Sequence, residues 1–526
     1  MTGCAGLRLG LVRAVVISIM TVGLPVAGAE NKSAPAPAVS ERGAMLSYLV
    51  GKDLPEELAA LERAGHLAKA EAWLDARTSA VLEGGRLAAI YGVERERLRR
   101  LRREFSRTPE ALLERVRESI PDVTAADLER WRVEGVVQWL EIDGEVRYFR
   151  REPSNLFRFS AEARGRRDAA RAARDGGGGA PRPSAAGDPA GDPAGANRAV
   201  SLARHAAESL ASARDAGSSV VLPVRFRARH EVRLKPGIVP AGEPVRCWLP
   251  MAQEYRHQTQ VRVVATTPTA HRVAANGMGQ RTVYMEQPAA PDGSATFALE
   301  QEYTAGAFVP LADADRVAYA AGDPIVAQYT VERLPHVPLN AEVRDLAAQI
   351  VGAEANPMRK AERIWRWMQD NIRYSSELEY CVMPSVVEKI MVERHGDCGV
   401  QALLFIALCR ASGVAARWQS GWVTRPGSWN MHDWAEFYAP PYGWLPADPS
   451  VGYLKSDDAA VRDFLFGHLD AYRFVANLDW ETEFDPPKHH WRSDPVDNQR
   501  GELEWRGGNL YYDDWDYSIT VEPVQR

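Results

Sequence analysis

The stretch HGDCGVQALLFIALCRASGVAARW, residues 395–418, decides the fold prediction for this chain. A short glycine-containing segment surrounds Cys398, and the apolar residues after it recur at helical spacing until Gly413: Leu403, Leu404, Ala407, Leu408 and Ala411. The next residues, 414–423, have the mixed apolar and polar pattern of a strand. The sequence therefore predicts a helix that begins at Cys398 and runs into a strand.

A cysteine at a helix start has unusual surroundings. The unpaired backbone N–H groups and the positive end of the helix dipole favour a thiolate there. The position therefore predicts a pKa for Cys398 below the ordinary thiol value of about 8.5. The same N–H groups are also placed to bind an oxyanion.

Two further segments, MHDWAEFY (residues 431–438) and YGWLPADPS (residues 442–450), add His432 and Asp448. Both segments predict strands, and residues at the ends of neighbouring antiparallel strands can lie side by side. Cysteine, histidine and aspartate supply a nucleophile, a base and a group that orients the base. Taken singly, each is more often a core residue or a turn former, but their order favours a site.

Residues 340–452 resemble the transglutaminase-like core, a branch of the papain-like thiol enzymes. The resemblance rests on GDCGVQALLFIALCRASGVAARW, HDWAEFY and GWLPADPS. It implies that Cys398 is the nucleophile, His432 the general base and acid, and Asp448 the orienting carboxylate. It also implies an α+β papain-like core that acts on protein or peptide amides through a cysteinyl acyl-enzyme.

The chain departs from the family pattern directly after the histidine, where Asp433 replaces the small apolar residue of many relatives. This departure bears on the charge state of His432. In parts of the family, a bulky aromatic residue before the nucleophile helix helps to hold the oxyanion. Tyr380 is the candidate for that role, with packing as the alternative; Trp434 is a candidate to shield the imidazole, or to pack.

The first residues predict an export signal, residues 1–29. Arg8 and Arg13 precede an apolar run from residue 14 to 26, and Ala27-Gly28-Ala29 fits a signal-peptidase site. The run is shorter than the roughly 20 apolar residues that span a bilayer. We therefore expect a secreted or periplasmic protein without a stable membrane span.

Residues 40–160 predict an α+β N-terminal region. Leu98, Leu101 and Phe105 form an apolar helical stripe among arginines, and Asp143-Gly144 is a strong hairpin signal between two strands. Residues 164–197 then turn to alanine, glycine, proline and aspartate, a composition that predicts a disordered linker.

Residues 220–334 predict an all-β, sandwich-like domain, with strands that include residues 325–334. Residues 453–526 form a tryptophan-rich C-terminal extension, for which we favour packing over sugar binding. The predicted fold is therefore α+β and multidomain: a helical and hairpin region, a β domain and the papain-like core.

Composition excludes several functions. The 526 residues carry a net charge of −6 and contain no phosphate-binding glycine loop, so neither nucleic acid nor a nucleotide is expected. His489 and His490 lie near acidic residues at spacings that match no closed metal site, and no metal or other cofactor is predicted. Four cysteines follow the signal, and one disulfide among them stays open: Cys247, Cys381, Cys398 and Cys409.

Two function classes remain. In the first, the exported protein is a thiol enzyme for protein or peptide amides, either a transglutaminase-like acyltransferase or a hydrolase. A cysteine protease, or an amidase of cell-wall peptides, is an alternative within that class. In the second, the core is a binding or scaffold module that retains the triad without turnover. Nothing in the sequence decides between transamidation and hydrolysis.

Overall fold

The computed structural model describes residues 49–78, 86–174, 193–425 and 428–524. The predicted signal peptide lies outside these ranges. Helices and several sheets make up the described chain, which confirms the α+β fold class. In the same ranges, no helix is both long and apolar enough to cross a membrane.

The N-terminal region combines helices with one hairpin. Its elements are α1 (Glu56–Arg63), α2 (Leu67–Thr78), α3 (Arg86–Glu104), α4 (Pro109–Arg117), α5 (Ala125–Val133), β1 (Trp139–Ile142), β2 (Glu145–Tyr148), α6 (Ser154–Phe159) and α7 (Ala161–Arg174). The predicted hairpin forms, with Asp143 and Gly144 both at positive φ. Leu98, Leu101 and Phe105 are buried, as the apolar stripe of α3 predicts.

Both ends of the predicted linker are helical. Residues 164–174 belong to α7, and residues 193–197 open α8 (Pro193–Ala216). Alanine and arginine dominate α7, and both are strong helix formers, which explains the difference from the prediction there. The glycine-rich middle, residues 175–192, lies outside the described residues, so for that part the linker stays a prediction.

Six strands follow: β3 (Val220–Leu234), β4 (Pro244–Pro250), β5 (Gln258–Thr267), β6 (Arg272–Val273), β7 (Thr282–Pro288) and β8 (Ala295–Phe308). The strand expected within residues 325–334 is wrong, because Pro324–Tyr329 forms helix α9. Asp323 caps this helix by accepting the Ile325 N–H, and proline occupies the first turn, a strong helix start that outweighs the β-branched residues.

The C-terminal extension completes the sheets of the β domain. Its strands are β15 (Glu502–Trp505), β16 (Gly508–Leu510) and β17 (Trp515–Pro523). The two antiparallel sheets have the orders β17-β3-β8-β5 and β16-β15-β4-β7-β6, and buried residues such as Val232, Cys247 and Phe297 form their apolar core. Trp480 and Trp515 are buried, which agrees with a packing role for these tryptophans.

Between these segments lies the core. It comprises α10 (Ala341–Val351), α11 (Pro357–Asn371), β9 (Arg373–Tyr374), α12 (Val386–Glu393), β10 (His395–Gly396), α13 (Cys398–Ala411), β11 (Ala416–Arg425), β12 (Ser428–Tyr438), β13 (Trp444–Ala447), α14 (Ala459–Arg462) and β14 (Arg473–Asn477). The sheet order is β13-β12-β11-β14, entirely antiparallel. Helix α13, buried from Cys398 to Arg410, packs against β12 and so brings its first residue to the strand that carries His432.

Candidate active site

Cys398 is the first residue of α13, and the cap before it fixes its place. Asp397 is the N-cap, and its carboxylate accepts a hydrogen bond from the Val400 N–H at 3.2 Å. Because the helix behind it is apolar on all sides and buried, its start cannot shift without moving the core. The Cys398 residue is 8% exposed.

Gly399 allows two side chains to approach the start of α13. A Cβ at this position would overlap the Tyr380 hydroxyl and lie 2.7 Å from Asp433 Oδ2. The glycine is therefore required by close packing around the nucleophile. This explains the glycine after the cysteine in physical terms.

His432 and Asp448 meet as the strand prediction requires. His432 lies in β12, and Asp448 follows the end of β13, which pairs with β12 through Ala435 and Ala447. His432 Nε2 lies 2.6 Å from Asp448 Oδ2. The carboxylate thus fixes the orientation of the imidazole.

Asp448 is also paired with Arg473, a residue that the sequence analysis missed. Arg473 Nη2 donates to Asp448 Oδ2 at 2.9 Å, and both side chains are fully buried. Burial by itself raises the pKa of Asp448, but His432 and Arg473 outweigh it and hold that pKa below its usual range. Asp448 is therefore an anion in the folded protein at neutral pH.

The thiol of Cys398 donates to Asp433 Oδ2 at 3.3 Å. Burial, followed by the nearby charges of Asp433 and Asp397, raises the pKa of Cys398 well above its ordinary value. This direction is opposite to the one expected from the helix start. The main reason is burial of the thiol, to which the nearby carboxyl groups of Asp433 and Asp397 add, and together these effects outweigh the helix dipole.

Comparison with known families adds to this geometry. Residues 344–449 match the model of the transglutaminase-like superfamily. The chain carries a transglutaminase-like core. Cys398 lies within the matched range, and so do His432 and Asp448, which places both strands and the nucleophile helix inside the recognised core.

Two curated relatives match parts of the chain. An uncharacterized protein of Haemophilus influenzae is 28% identical over 27% of this chain and 48% of its own length. The uncharacterized protein YebA of Bacillus subtilis is 25% identical over 22% of this chain and 18% of its own length. The chain therefore spans about half of the first relative and less than a fifth of the second.

Two solved structures align with the chain. One is a candidate cysteine protease from Cytophaga hutchinsonii, with 15% identity, 58% of this chain and 92% of that chain covered, and a TM-score of 0.40. The other is the periplasmic domain of TgpA from Pseudomonas aeruginosa, with 14% identity, 47% and 90% covered, and a TM-score of 0.22.

Within the transglutaminase-like core, Tyr380 lies beside the start of α13, where Cys398 is found. Its hydroxyl donates to Asp397 Oδ1 at 2.7 Å and lies 3.5 Å from Asp433 Oδ2. The tyrosine comes from a 3₁₀ turn, Tyr380–Val382, and is buried. Because its hydrogen is given to Asp397, its action as an oxyanion donor would require that bond to break, and this role stays a prediction.

Trp434 is fully buried beside His432. Its ring centroid lies 6.0 Å from that of the imidazole, at an interplanar angle of 28°, and its Nε1 donates to Gln419 Oε1 at 2.6 Å. The Arg473 guanidinium lies 5.1 Å from its ring centroid. This position serves both packing and the exclusion of water from the imidazole, so both interpretations stay open.

The buried carboxyls of Asp433 and Asp497 form a group of three with the half-buried Asp397, called the acidic cluster below. Burial raises the pKa of all three, and the charges of Asp497 and Asp397 raise that of Asp433 further, well above its usual value. Gln499 Nε2 donates to Asp433 Oδ1 at 2.7 Å and to the His432 carbonyl at 3.0 Å. Only the Asp433 substitution signalled any of this in the sequence.

The N-terminal region holds the segment that carries Tyr380. Asn155 Nδ2 donates to the Ser376 carbonyl, and Asn155 Oδ1 accepts the Ser376 N–H, both at 2.8 Å. The buried carboxylate of Glu379 accepts hydrogen bonds from Arg150 at 2.8 Å and Arg151 at 2.5 Å. The sequence analysis did not place this region at the core.

The remaining groups carry less chemistry. Cys247, Cys381, Cys398 and Cys409 are free and buried. Across the described part of the chain, no group of three or more histidine, cysteine, aspartate or glutamate side chains is arranged to hold a metal ion.

Proposed function

We propose that this chain is an exported thiol enzyme that acts on protein or peptide amide bonds through a cysteinyl acyl-enzyme. The observation that carries the proposal is the His432–Asp448 pair, at 2.6 Å, on the strand against which the nucleophile helix packs. A buried anion beside an imidazole has one ordinary role, which is to hold that imidazole ready to accept and return a proton.

The steps follow from these groups. Cys398 Sγ attacks the carbonyl carbon of an amide while its proton passes to His432 Nδ1, the ring nitrogen that Asp448 leaves free. The imidazolium, stabilised by Asp448, returns the proton to the departing amine, and a thioester remains on Cys398. The backbone N–H groups at the start of α13 lie at the positive end of the helix dipole, where they favour the oxyanion of each tetrahedral intermediate.

The second half of the reaction sets the product. Water attacking the thioester gives hydrolysis, and an amine gives acyl transfer; His432 accepts the proton of either nucleophile and Cys398 recovers its own. We rank amide hydrolysis or general acyl transfer above glutamine–lysine cross-linking. Cell-wall peptides are a candidate substrate of the exported enzyme, beside ordinary protein and peptide amides.

The test is capture of the thioester. The full chain is mixed with peptides that carry side-chain or backbone amides, quenched in acid and examined by intact-protein mass spectrometry, with Cys398→Ser as the control. We expect a peptide adduct on the wild type that hydroxylamine removes, and none on the variant. No adduct with any peptide class, cell-wall peptides included, would contradict the proposal.

A second candidate is a binding module that keeps the triad residues without turnover. One observation favours it: the Cys398 thiol bonds to Asp433 and its pKa is raised. Thioester capture separates the two candidates, since a binding module retains peptides without covalent adducts. Export has its own test, which is the N-terminal sequence of protein recovered outside the cytoplasm; we expect cleavage after Ala29.

A further inference from the structure

The contact between Cys398 and Asp433 is not part of the proposed reaction. The thiol needs to reach His432 to lose its proton, yet it donates to Asp433 Oδ2 at 3.3 Å. Both residues are buried, at 8% and 3% exposure, so water screens this contact weakly. Once Asp433 is ionised, its negative charge this close to sulfur opposes the thiolate that acyl transfer requires.

The other groups around Asp433 hold it in place. Gln499 donates to Oδ1 at 2.7 Å, and the Tyr380 hydroxyl lies 3.5 Å from Oδ2. Gln499 also bonds to the carbonyls of Gly421 and His432, so its amide is fixed to the strands on both sides. Asp433 is thus oriented toward the thiol by groups from two separate parts of the chain.

The charges that face Asp433 come from every element packed against it. Asp397 caps α13, and Asp497 comes from the C-terminal extension; both act on Asp433 as negative charges. Tyr374 in β9, Tyr380 and Cys398 are further titratable groups beside it, and His432 precedes it in β12. Three cations act on its acidic neighbours from farther away: Arg151 and Lys389 on Asp397, and Arg492 on Asp497.

Asp497 is a matched comparison for Asp433. It accepts Ser420 Oγ at 2.6 Å and Asn477 Nδ2 at 2.7 Å, and Ser420 lies opposite Asp433 in the β11–β12 pair. Both carboxyls are buried, and they interact with each other. The contact with the thiol belongs to Asp433.

We propose that Asp433 restrains the nucleophile: by accepting the Cys398 thiol hydrogen, it holds the sulfur in its protonated, resting form. The proposal rests on the proposed thiol chemistry and adds its regulation. Loss of the Asp433 charge frees the thiol for His432. A positive group placed near Cys398 has the same effect as loss of that charge, so the site favours cationic over anionic reactants.

The first experiment measures iodoacetamide labelling of Cys398 against pH, by peptide mass spectrometry, in the full chain, Asp433→Asn and Asp497→Asn. We expect Asp433→Asn to lower the pH midpoint of labelling by about one unit or more, since a close like charge is removed. For each unit by which the midpoint falls, the labelling rate at pH 7 should rise by about threefold. The thiolate fraction rises more than the nucleophilicity of the thiolate falls. Asp497→Asn should leave the midpoint unchanged or higher.

An unchanged or higher midpoint in Asp433→Asn would overturn the restraint. So would an equal fall in Asp497→Asn, which would show a general effect of charge and not of the Asp433 contact. Thermal unfolding checks that each variant folds, and Asp433→Ala replaces Asp433→Asn if the amide prevents folding.

A second measurement needs no variant. Wild-type Cys398 is labelled with an ammonium-bearing and a sulfonate-bearing methanethiosulfonate of similar size. We expect the cationic reagent to react about tenfold faster, relative to the ratio for a free thiol in solution. An equal or reversed ratio would overturn the proposal. Thioester capture is independent of both readouts. A peptide adduct together with an unchanged labelling midpoint in Asp433→Asn would contradict the restraint but not the proposed function. A lowered midpoint without any adduct would contradict the proposed function but not the restraint.

Discussion

His432 and Asp433 are adjacent in β12, yet the carboxyl groups around them have pKa values that are shifted in opposite directions. Beside His432, the buried carboxylate of Asp448 is offset by the buried Arg473, and its pKa lies below the usual range although burial raises it. Around Asp433, the acidic cluster has two further carboxyls and no such close offset, and burial raises every pKa. One step along a strand thus separates a carboxylate with a lowered pKa from a cluster of carboxyls with raised pKa values.

The difference shows what a buried carboxyl needs in order to act as an anion. Desolvation is the largest influence on both Asp448 and Asp433, so burial does not distinguish them. The two residues differ in that Asp448 has a cation, Arg473, within hydrogen-bond distance. Asp448 can therefore orient a base, while Asp433 can hold a proton donor.

The largest expected effect comes from removing the imidazole that Asp448 orients. His432→Ala removes the group that accepts the thiol proton, and we expect acylation to slow by about 10²- to 10⁴-fold. Single-turnover thioester formation, measured by intact-protein mass spectrometry, checks this. His271→Ala is the control, because that histidine is exposed in the β domain. Equal rates in His432→Ala and wild type would contradict its assignment as the base.

Arg473→Met tests the offsetting cation. Arg473 is fully buried and bonds to Asp448 at 2.9 Å and to Asp470 at 3.0 Å, so the substitution removes a buried cation shared by two buried carboxylates. We expect a loss of about 3–5 kcal/mol in the free energy of unfolding, measured in urea. Arg366→Met is the control: that arginine pairs with Asp463 at 2.8 Å but is partly exposed, and should cost less than about 1 kcal/mol. Equal losses would show that burial of the pair is unimportant.

The sequence predicted the neighbours of His432 better than those of Cys398. The strand patterns predicted that His432 and Asp448 lie side by side, because the register of neighbouring strands follows from the local alternation of apolar and polar residues. The thiol environment depends on Asp433 and on Gln499 and Asp497, which reach the site from a segment that the sequence pattern described only as tryptophan-rich. Arg473 likewise carried no local signal. Long-range partners of this kind cannot be derived from periodicity.

The same limit applies to the fold. Leu98, Leu101 and Phe105 predicted a buried stripe in α3 correctly, since helical spacing is a local property. The C-terminal strands could not be assigned to the β domain, because pairing of β17 with β3 joins segments far apart in the chain. Helix α9 was missed because one capping aspartate and a proline outweighed the strand pattern.

The carboxyls near Asp433 also affect how the stability of the protein depends on pH. Asp494, next to the acidic cluster, is half-buried, and desolvation followed by the charge of Asp497 raises its pKa from 3.8 to about 8. The folded protein therefore binds this proton more tightly than the unfolded chain does. Its contribution to stability is complete below pH 3.8 and is lost as the pH rises to about 8.

Asp494→Asn should reduce the loss of stability that accompanies the rise in pH. The asparagine oxygen still accepts the backbone N–H groups of Val496 and Asp497, at 3.0 and 2.9 Å, so the turn is retained without a titrating proton. We expect the unfolding free energy to fall less steeply between pH 4 and pH 8 than in the wild type. Urea unfolding across this range is the measurement, with the exposed Asp516→Asn as the control. An unchanged slope would show that Asp494 is ionised throughout.

The smallest effect concerns the link between the cluster and the nucleophile helix. Tyr380→Phe removes the hydroxyl that donates to Asp397 at 2.7 Å, while Asp397 keeps its bond to Val400 and continues to cap α13. We expect a cost of about 1–2 kcal/mol in the unfolding free energy, the range for a lost hydrogen bond to a buried acceptor. Tyr442→Phe, which loses an exposed bond to the Asp313 N–H, is the control and should change stability by less. Equal costs would mean that the position of the Asp397 carboxyl does not depend on the Tyr380 hydroxyl. The cap that Asp397 forms with Val400 and the burial of α13 would then be enough to fix the start of the helix at Cys398.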